Sequence, residues 1–280
     1  MSKSPGKSAT APAPQAESAF VRLATVLRGA QPLAEKGVND SFRGQLMLED
    51  GAIKAAIIKD LDPKQLANEL MAAALADAAG MPIPGAHLAK VPQGVMTANK
   101  GPTLSDGSRL AFGSVDARTP PVAQLYQGQN ASVQRKVRER LAEWDGVGGL
   151  YGFDSWIANT DRHERNLLFS GDKKVWLIDH GHCFTGPKWT PANFDPANVY
   201  SNKLKSWLTP VMSDARRTAV ASAAGGVPEK VKDLDLNRVG ELNHVLDVLD
   251  KDDFDALVSF LTQRNAHVPR LAADALNLVV

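Results

Sequence analysis

Residues 161–181 read DRHERNLLFSGDKKVWLIDHG. Asp161 is followed five positions on by Asn166, and a second aspartate, Asp179, stands directly before His180 and Gly181. Leu167-Leu168-Phe169 and Val175-Trp176-Leu177-Ile178 are apolar runs on either side of a polar stretch from Ser170 to Lys174, the pattern of a short hairpin. Such a hairpin returns Asp179 to the side of Asn166. Upstream, Tyr151 to Asn159 (YGFDSWIAN) is apolar and reads as a buried helix that delivers Asp161 into a loop. Asp161, Arg162, His163 and Asn166 then crowd into six residues between hydrophobic segments. An account in which Asp161 merely caps a turn, Asn166 fills a bend and Asp179 ends a strand leaves every spacing to coincidence.

Phosphoryl transfer asks for this equipment: one carboxylate at the attacking hydroxyl, and an amide with a second carboxylate holding magnesium against the phosphates. Asp161 fits the first role, and Asn166 and Asp179 the second. Oxygen ligands from one Asp and one Asn, completed by phosphate and water, suit magnesium. Arg162 is a candidate for stabilising phosphate charge or for pairing with the neighbours of Asp161. His163 is a candidate for orienting the loop through a hydrogen bond to a backbone carbonyl or a carboxylate. A metal-hydrolase alternative would use Asp161, His163, Asp179, His180 and His182 as ligands. Against it, His180 and His182 are separated by Gly181 in a turn, and neither H-x-E nor H-E-x-x-H occurs.

A second group of residues lies earlier. Gln45 to Glu49 and Ile53 to Lys59 flank Glu49-Asp50-Gly51, which predicts a β-hairpin. Pro63 to Ala79 predicts a helix, with proline at its start, Ala and Leu throughout, and Gly80 placed to end it. Lys59 ends the first apolar run and Glu69 lies ten residues on, in the helix. That order suits a phosphate-binding lysine held by a helix glutamate. Lys54 competes on the same strand, but an offset of five residues puts it on the opposite face. Asn39 to Gly44 (NDSFRG) falls where a phosphate-covering loop is expected, with Ser41 as a hydroxyl for the phosphates. It is neither G-x-G-x-x-G nor a Walker A motif, and an ordinary polar turn is the competing reading.

Composition sets the frame. A chain of 280 residues has room for two lobes, each with a core, and 44% hydrophobic with 22% charged residues is ordinary for a soluble globular protein. A formal net charge of +1 gives no global pointer to nucleic acid or to an anionic membrane. No run approaches the 18 or so uninterrupted apolar residues of a membrane span. Residues 1–17 (MSKSPGKSATAPAPQAE) lack an apolar signal core and predict a flexible tail. The lone cysteine, Cys183, has no partner in the chain for a disulfide, fits the cytoplasm, and reads as buried and inert. The tryptophans read as core.

Along the chain, residues 18–30 fit either a helix or a short strand, while Ala86 to Val91 and Leu110 to Val115 predict further strands. Thr119-Pro120-Pro121 breaks the chain, and helices are predicted over Ser132 to Trp144, Leu150 to Asn159 and several segments from Ser201 to Val279. The expected architecture is α+β: a small β-rich N-lobe over 18–118 and a larger helical C-lobe over 119–280.

The spacing Asp161 to Asn166 and the triplet Asp179-His180-Gly181 match the kinase patterns H-R-D-x-x-x-x-N and D-F-G. More narrowly, N-T-D-R-H-x-x-N-L-L at Asn159 to Leu168 and W-L-I-D-H-G-H-x-F at Trp176 to Phe184 resemble the HipA-like kinases. These are relatives of the phosphatidylinositol 3- and 4-kinases within the protein-kinase-like superfamily. N-E-L-x-A-A-x-L-A-x-A-x-G-x-P-I-P at Asn68 to Pro84 extends the resemblance, which covers about Gly37 to Phe184. It implies a two-lobed protein-kinase-like fold and ATP- and Mg2+-dependent phosphoryl transfer, most often to a protein serine or threonine. Lys59 would bind phosphate, Asp161 would be the base, and Asn166 and Asp179 would bind the metal. An antitoxin-like regulator is a further partner the resemblance implies, since the best-known members are toxins of toxin–antitoxin pairs. Lipid or small-molecule kinase activity, and an inactive kinase fold used for binding, are the alternatives. Two departures stand out. The Ser-rich phosphate loop of the well-known members is not plainly present, and the extra N-terminal module of the full-length toxins has no room, so a stand-alone domain is expected.

Overall fold

The computed structural model describes residues 19–33, 40–170 and 174–279. The predicted tail over 1–17, Asn39 of the predicted phosphate loop and the centre of the turn after Ser170 lie outside them. The N-terminal region carries six strands: β1 (Arg22–Val26), β2 (Gln31–Pro32), β3 (Asp40–Leu48), β4 (Ile53–Asp60), β5 (Ala86–Val91) and β6 (Arg109–Val115). The choice between helix and strand over this segment thus resolves in favour of a strand, Arg22–Val26. β1 pairs in parallel with β5 and antiparallel with β3, closing the order β1-β5-β6-β4-β3 into a ring, with β2 on the outside of β3.

Alternation along these strands fills the ring with small and branched side chains: Ala24, Val26, Phe42, Leu46, Ala56, Ile58, Ala89, Val91 and Ala111. The interior is narrow. A Cβ on Gly113 would lie 2.7 Å from Leu46, and one on Gly44 would lie 2.9 Å from Ile58. β3 and β4 form the predicted hairpin, turning at Gly51, whose φ of 79° is glycine territory.

α1 (Pro63–Ala78) starts on Asp62, whose carboxylate accepts the Gln65 amide N–H at 3.0 Å, and stops where Gly80 turns left-handed. Every residue from Gln65 to Ala76 is buried. A helix buried all round needs cover on every side. One side of α1 packs on β5 and β6, while another packs on segments near the C-terminus of the chain.

The helical region comprises α2 (Val122–Tyr126), α3 (Ala131–Ala142), α4 (Val147–Trp156), α5 (Leu204–Trp207), α6 (Asp214–Ala224), α7 (Val227–Val231), α8 (Leu236–Leu242), α9 (Lys251–Arg264) and α10 (Val268–Ala275). Between α4 and α5 lies the predicted hairpin of β7 (Leu167–Phe169) and β8 (Val175–Leu177). The whole is a two-lobed α+β architecture, β-rich first and helical after. None of the helices among the described residues is long and apolar enough to cross a membrane.

One expectation needs correcting. The helix expected over Leu150 to Asn159 begins at Val147 and ends at Trp156. Ala158 takes φ 45°, and the Asn159 side chain donates to Asp154 Oδ1 at 3.0 Å and accepts the Asp161 N–H at 3.0 Å, so these residues already shape the loop. The segment after Asn193 forms the rest of the helical region, and part of it also braces the helix of the N-lobe. α8 packs against α1, and Lys64 on α1 pairs with Asp253 on α9 at 2.7 Å.

Candidate active site

Lys59 sits one residue from the end of β4, on the face opposite Lys54, which is exposed. Its ammonium lies 2.7 Å from Glu69 Oε1 and 2.9 Å from Asp179 Oδ1. Strand alternation and the helix turn that places Glu69 therefore bring together three charged residues far apart in sequence. Burial disfavours the ammonium, but the two carboxylates outweigh it and hold Lys59 above its ordinary pKa. Glu69 is driven the other way. Burial would raise it, and the Lys59 charge with help from His180 holds it below the usual carboxylate range.

Glu69 has a second task. Its Oε2 accepts the backbone N–H of His180 at 2.9 Å, tying α1 to the Asp179-His180-Gly181 turn. Asn68 adds to the latch. Its amide donates to the Gly181 carbonyl at 2.9 Å, and its oxygen accepts the Trp189 indole N–H at 2.9 Å. Asn68 was not predicted as a site residue. It opens the motif Asn68 to Pro84, but its partner segment is more than a hundred residues away, so nothing local says what it grips.

The β7–β8 hairpin does what its sequence predicts. Leu167 pairs with Leu177, and the Ile178 N–H donates to the Asn166 carbonyl at 3.2 Å, so Asp179 follows directly beside Asn166. Asn166 Nδ2 donates to the Asp161 carbonyl at 2.8 Å, leaving its amide oxygen as the end suited to a cation. Asp179 itself has φ 60°, a left-handed conformation that Asp tolerates better than most residues and that tends to mark functional turns.

Asp161 lies on the loop with its side chain about one-fifth exposed. His163 Nε2 is 3.5 Å from Asp161 Oδ2, and His163 Nδ1 accepts the Arg165 backbone N–H at 3.2 Å. The ring thus stands beside a carboxylate, one of the two partners expected for it, and its other nitrogen accepts a backbone N–H. Lys203, one residue before α5, contacts Asp161 Oδ1 with its ammonium. Sequence reading did not identify it, since a lysine in a polar stretch forty-two positions downstream carries no local signature.

Arg162 is corrected more sharply. Its side chain is wholly buried, with Nε 2.9 Å from Asp154 Oδ2 and Nη2 3.0 Å from Asp154 Oδ1. Nη1 donates to the carbonyls of Asn166 and Ile178, each at 2.9 Å. The guanidinium has no exposed surface to offer a phosphate. It is a strut between α4, the loop and the hairpin, and so takes the second of its two expected roles, pairing with the loop's neighbours.

The expected phosphate loop is corrected as well. Ser41 lies in β3 directly opposite Lys59 of β4, so the segment from Asp40 is extended strand. The run DSFRGQLM pairs with IKAAIIKD residue for residue, from Asp40 opposite Asp60 to Met47 opposite Ile53, so pairing includes the turn-like Asp-Ser dipeptide. Opposed residues share a face of the sheet, which leaves Ser41 on the Lys59 side.

The histidines diverge. His163 stands with Asp161, whereas His180 is buried, with Nδ1 3.7 Å from Glu69 Oε2 and its ring edge-on to Phe153. Burial and the Arg162 charge lower the His180 pKa. Among the described residues no three His, Cys, Asp or Glu side chains gather as a metal cluster. Cys183 is fully buried, and burial pushes its thiol well above the ordinary range, in keeping with an inert cysteine.

A family model described as HipA-like kinase matches residues 35–234, well over half of the chain, and the chain belongs to that family. Membership implies phosphotransfer. The chain is also similar to the crystal structure of a Helicobacter pylori proinflammatory kinase, CtkA. That similarity is at 12% identity and a TM-score of 0.46, covering 84% of this chain and 94% of that one. No curated protein matches the chain.

Proposed function

We propose that this chain is an ATP- and magnesium-dependent kinase that transfers the γ-phosphoryl group to a hydroxyl, that of a protein serine or threonine. The observation that carries the reading is Lys59 held between Glu69 and Asp179, at 2.7 and 2.9 Å, beside a hairpin that delivers Asn166 to the same place. In this reading residues 18–118 form the nucleotide-binding lobe and 119–280 the catalytic and substrate-binding lobe, with ATP between them. Lys59 binds phosphate oxygens, Glu69 fixes its position, and Ser41 faces the phosphates from β3. Asp161 orients the acceptor hydroxyl and takes its proton, with His163 and the buried Arg162 positioning the loop.

The Asp179 carboxylate and the Asn166 amide oxygen are hard donors that fit magnesium. When bound, the metal neutralises phosphate charge. The choice of a protein acceptor rests on the family resemblance, as does an antitoxin-like regulator. A cytoplasmic setting fits ATP as the donor. Lys59, Glu69, Asp161, Asn166 and Asp179 are all present and assembled, which favours an active enzyme over an inactive binding fold.

The test uses the purified chain, Mg2+ and γ-labelled ATP, with the chain itself or cell lysate as acceptor. Wild type should label protein. Asp161→Asn should lose about 10²–10⁴-fold of that rate, the usual worth of a positioned base. Mg-ATP should raise the melting temperature of both, since the variant retains Lys59 and Asp179. A wild-type melt indifferent to saturating Mg-ATP would dismiss the proposal. Labelling confined to the lipid or metabolite fraction would keep the kinase and change the acceptor.

A further inference from the structure

The contact between Lys203 and Asp161 is not explained by stability. The two side chains are 44% and 21% exposed, and ion pairs this open add little to stability. The backbone under Lys203 is nevertheless firmly placed. Trp207 Nε1 donates to the Arg162 carbonyl at 2.8 Å, so α5 is fastened to the residue next to Asp161. Ser206 Oγ donates to the Lys203 carbonyl at 2.8 Å, and Leu204 and Leu208 on either side of Trp207 are buried. Lys203 therefore sits on the same lobe as Asp161, on backbone fastened to the loop that carries it.

Two buried cations near the loop are committed elsewhere. Arg162 is enclosed by Asp154 and two carbonyls, and Lys59 is held by Glu69 and Asp179. Lys203 ends a flexible four-carbon stem, half-exposed at the one carboxylate that must meet the acceptor.

We propose that Lys203 is a second phosphate-contacting lysine, acting on the acceptor side of the transfer. The inference rests on the kinase reading above. As the acceptor oxygen bonds to the γ-phosphorus, the bond from that phosphorus to the β-bridging oxygen breaks. The acceptor proton passes to Asp161, and the electron pair leaves with ADP. Lys203 gives up no proton. Its ammonium turns from Asp161 Oδ1 to the oxygens of the group in flight, leaving that carboxylate oxygen for the hydroxyl. Charge placed where it develops in the transition state acts on turnover rather than on ground-state binding.

The experiment compares wild type, Lys203→Met, Lys203→Arg and Asp161→Asn as full chains, measuring Mg-ATP turnover to protein and to water. Lys203→Met should lower kcat by about 10²-fold, as loss of one transition-state donor typically does, with KM for ATP little changed and part of the rate restored in Lys203→Arg. A second readout is thermal. Mg-ADP should stabilise wild type and Lys203→Met equally, while the further rise on adding aluminium fluoride, a mimic of the transferring group, should be lost in Lys203→Met. The inference is overturned if Lys203→Met turns over as fast as wild type or faster, if only KM rises, or if the fluoride response persists. A wild type with no turnover and no response to Mg-ADP overturns the kinase reading as well.

Discussion

At the scale of single residues, the site depends on which face of β4 a lysine occupies. Lys59 and Lys54 carry the same charge on the same strand, and only an odd offset separates them. The Lys59 side chain is 13% exposed and bonded to two carboxylates, whereas Lys54 is exposed. Lys59→Met should therefore weaken Mg-ATP binding or turnover far more than Lys54→Met, which is expected to resemble wild type. Glu69→Gln should give a milder form of the Lys59→Met defect, because it leaves the ammonium but removes the charge that fixes it. Nucleotide titration followed by intrinsic fluorescence, with turnover in parallel, separates the cases. Equal losses from the two lysine variants would mean that general charge, not register, matters here.

At the scale of elements, the buried pair of Arg162 and Asp154 joins α4, the loop and β8 into one body. A guanidinium with no solvent contact is tolerable because its donors find four acceptors, the two carboxylate oxygens of Asp154 and the carbonyls of Asn166 and Ile178. Removing one partner leaves the other as an uncompensated buried charge. Asp154→Ala should cost roughly 3–5 kcal/mol of unfolding free energy, read from urea denaturation. Replacing both residues, as Asp154→Leu with Arg162→Met, should recover much of that stability while still impairing turnover, since the carbonyls of Asn166 and Ile178 lose their clamp. A loss under about 1 kcal/mol for Asp154→Ala would place the pair with ordinary surface bridges.

At the scale of the whole molecule, the stretch beyond the family match, from residue 235 on, belongs to the machinery through α1. α8 packs on α1, and Asn243, just after α8, accepts the backbone N–H groups of Phe20 and Val21 at 2.9 and 2.8 Å. Lys64 of α1 meets Asp253 at 2.7 Å and lies 4.2 Å from the Trp189 ring centroid. The outer side of the helix that carries Glu69 is thus closed by the end of the chain. Asn243→Leu strands two amide donors and should cost about 1–3 kcal/mol, or several degrees of melting temperature at roughly 2–4 °C per kcal/mol. The melt should remain a single transition, because strands and helices share this seam. A variant that melts like wild type would show that the tie contributes little.

Much of the candidate site is written in local pattern. Asp161, Asn166 and Asp179 are legible because a loop and a short hairpin fix their separations within some twenty residues, where sequence distance and spatial distance still agree. Lys59 and Glu69 are legible because a strand period and the start of a helix set their directions. For Arg162 two roles stayed open, because spacing does not say whether a side chain points to a cleft or into a core, and Asp154, which decides it, lies on the preceding helix. The Ser41 loop was misread because pairing with β4 overrides the turn preference of an Asp-Ser dipeptide. Asn68 gripping Gly181 and Lys203 standing at Asp161 belong to another class of fact, since each joins segments that meet only when the chain is packed. Residue types, set at the periods that a helix, a strand and a hairpin must obey, carry the candidate chemistry in the chain itself. Which charges are buried and paired, and which stay open to a substrate, follows from packing, because burial is a property of the assembled core and not of any stretch of chain.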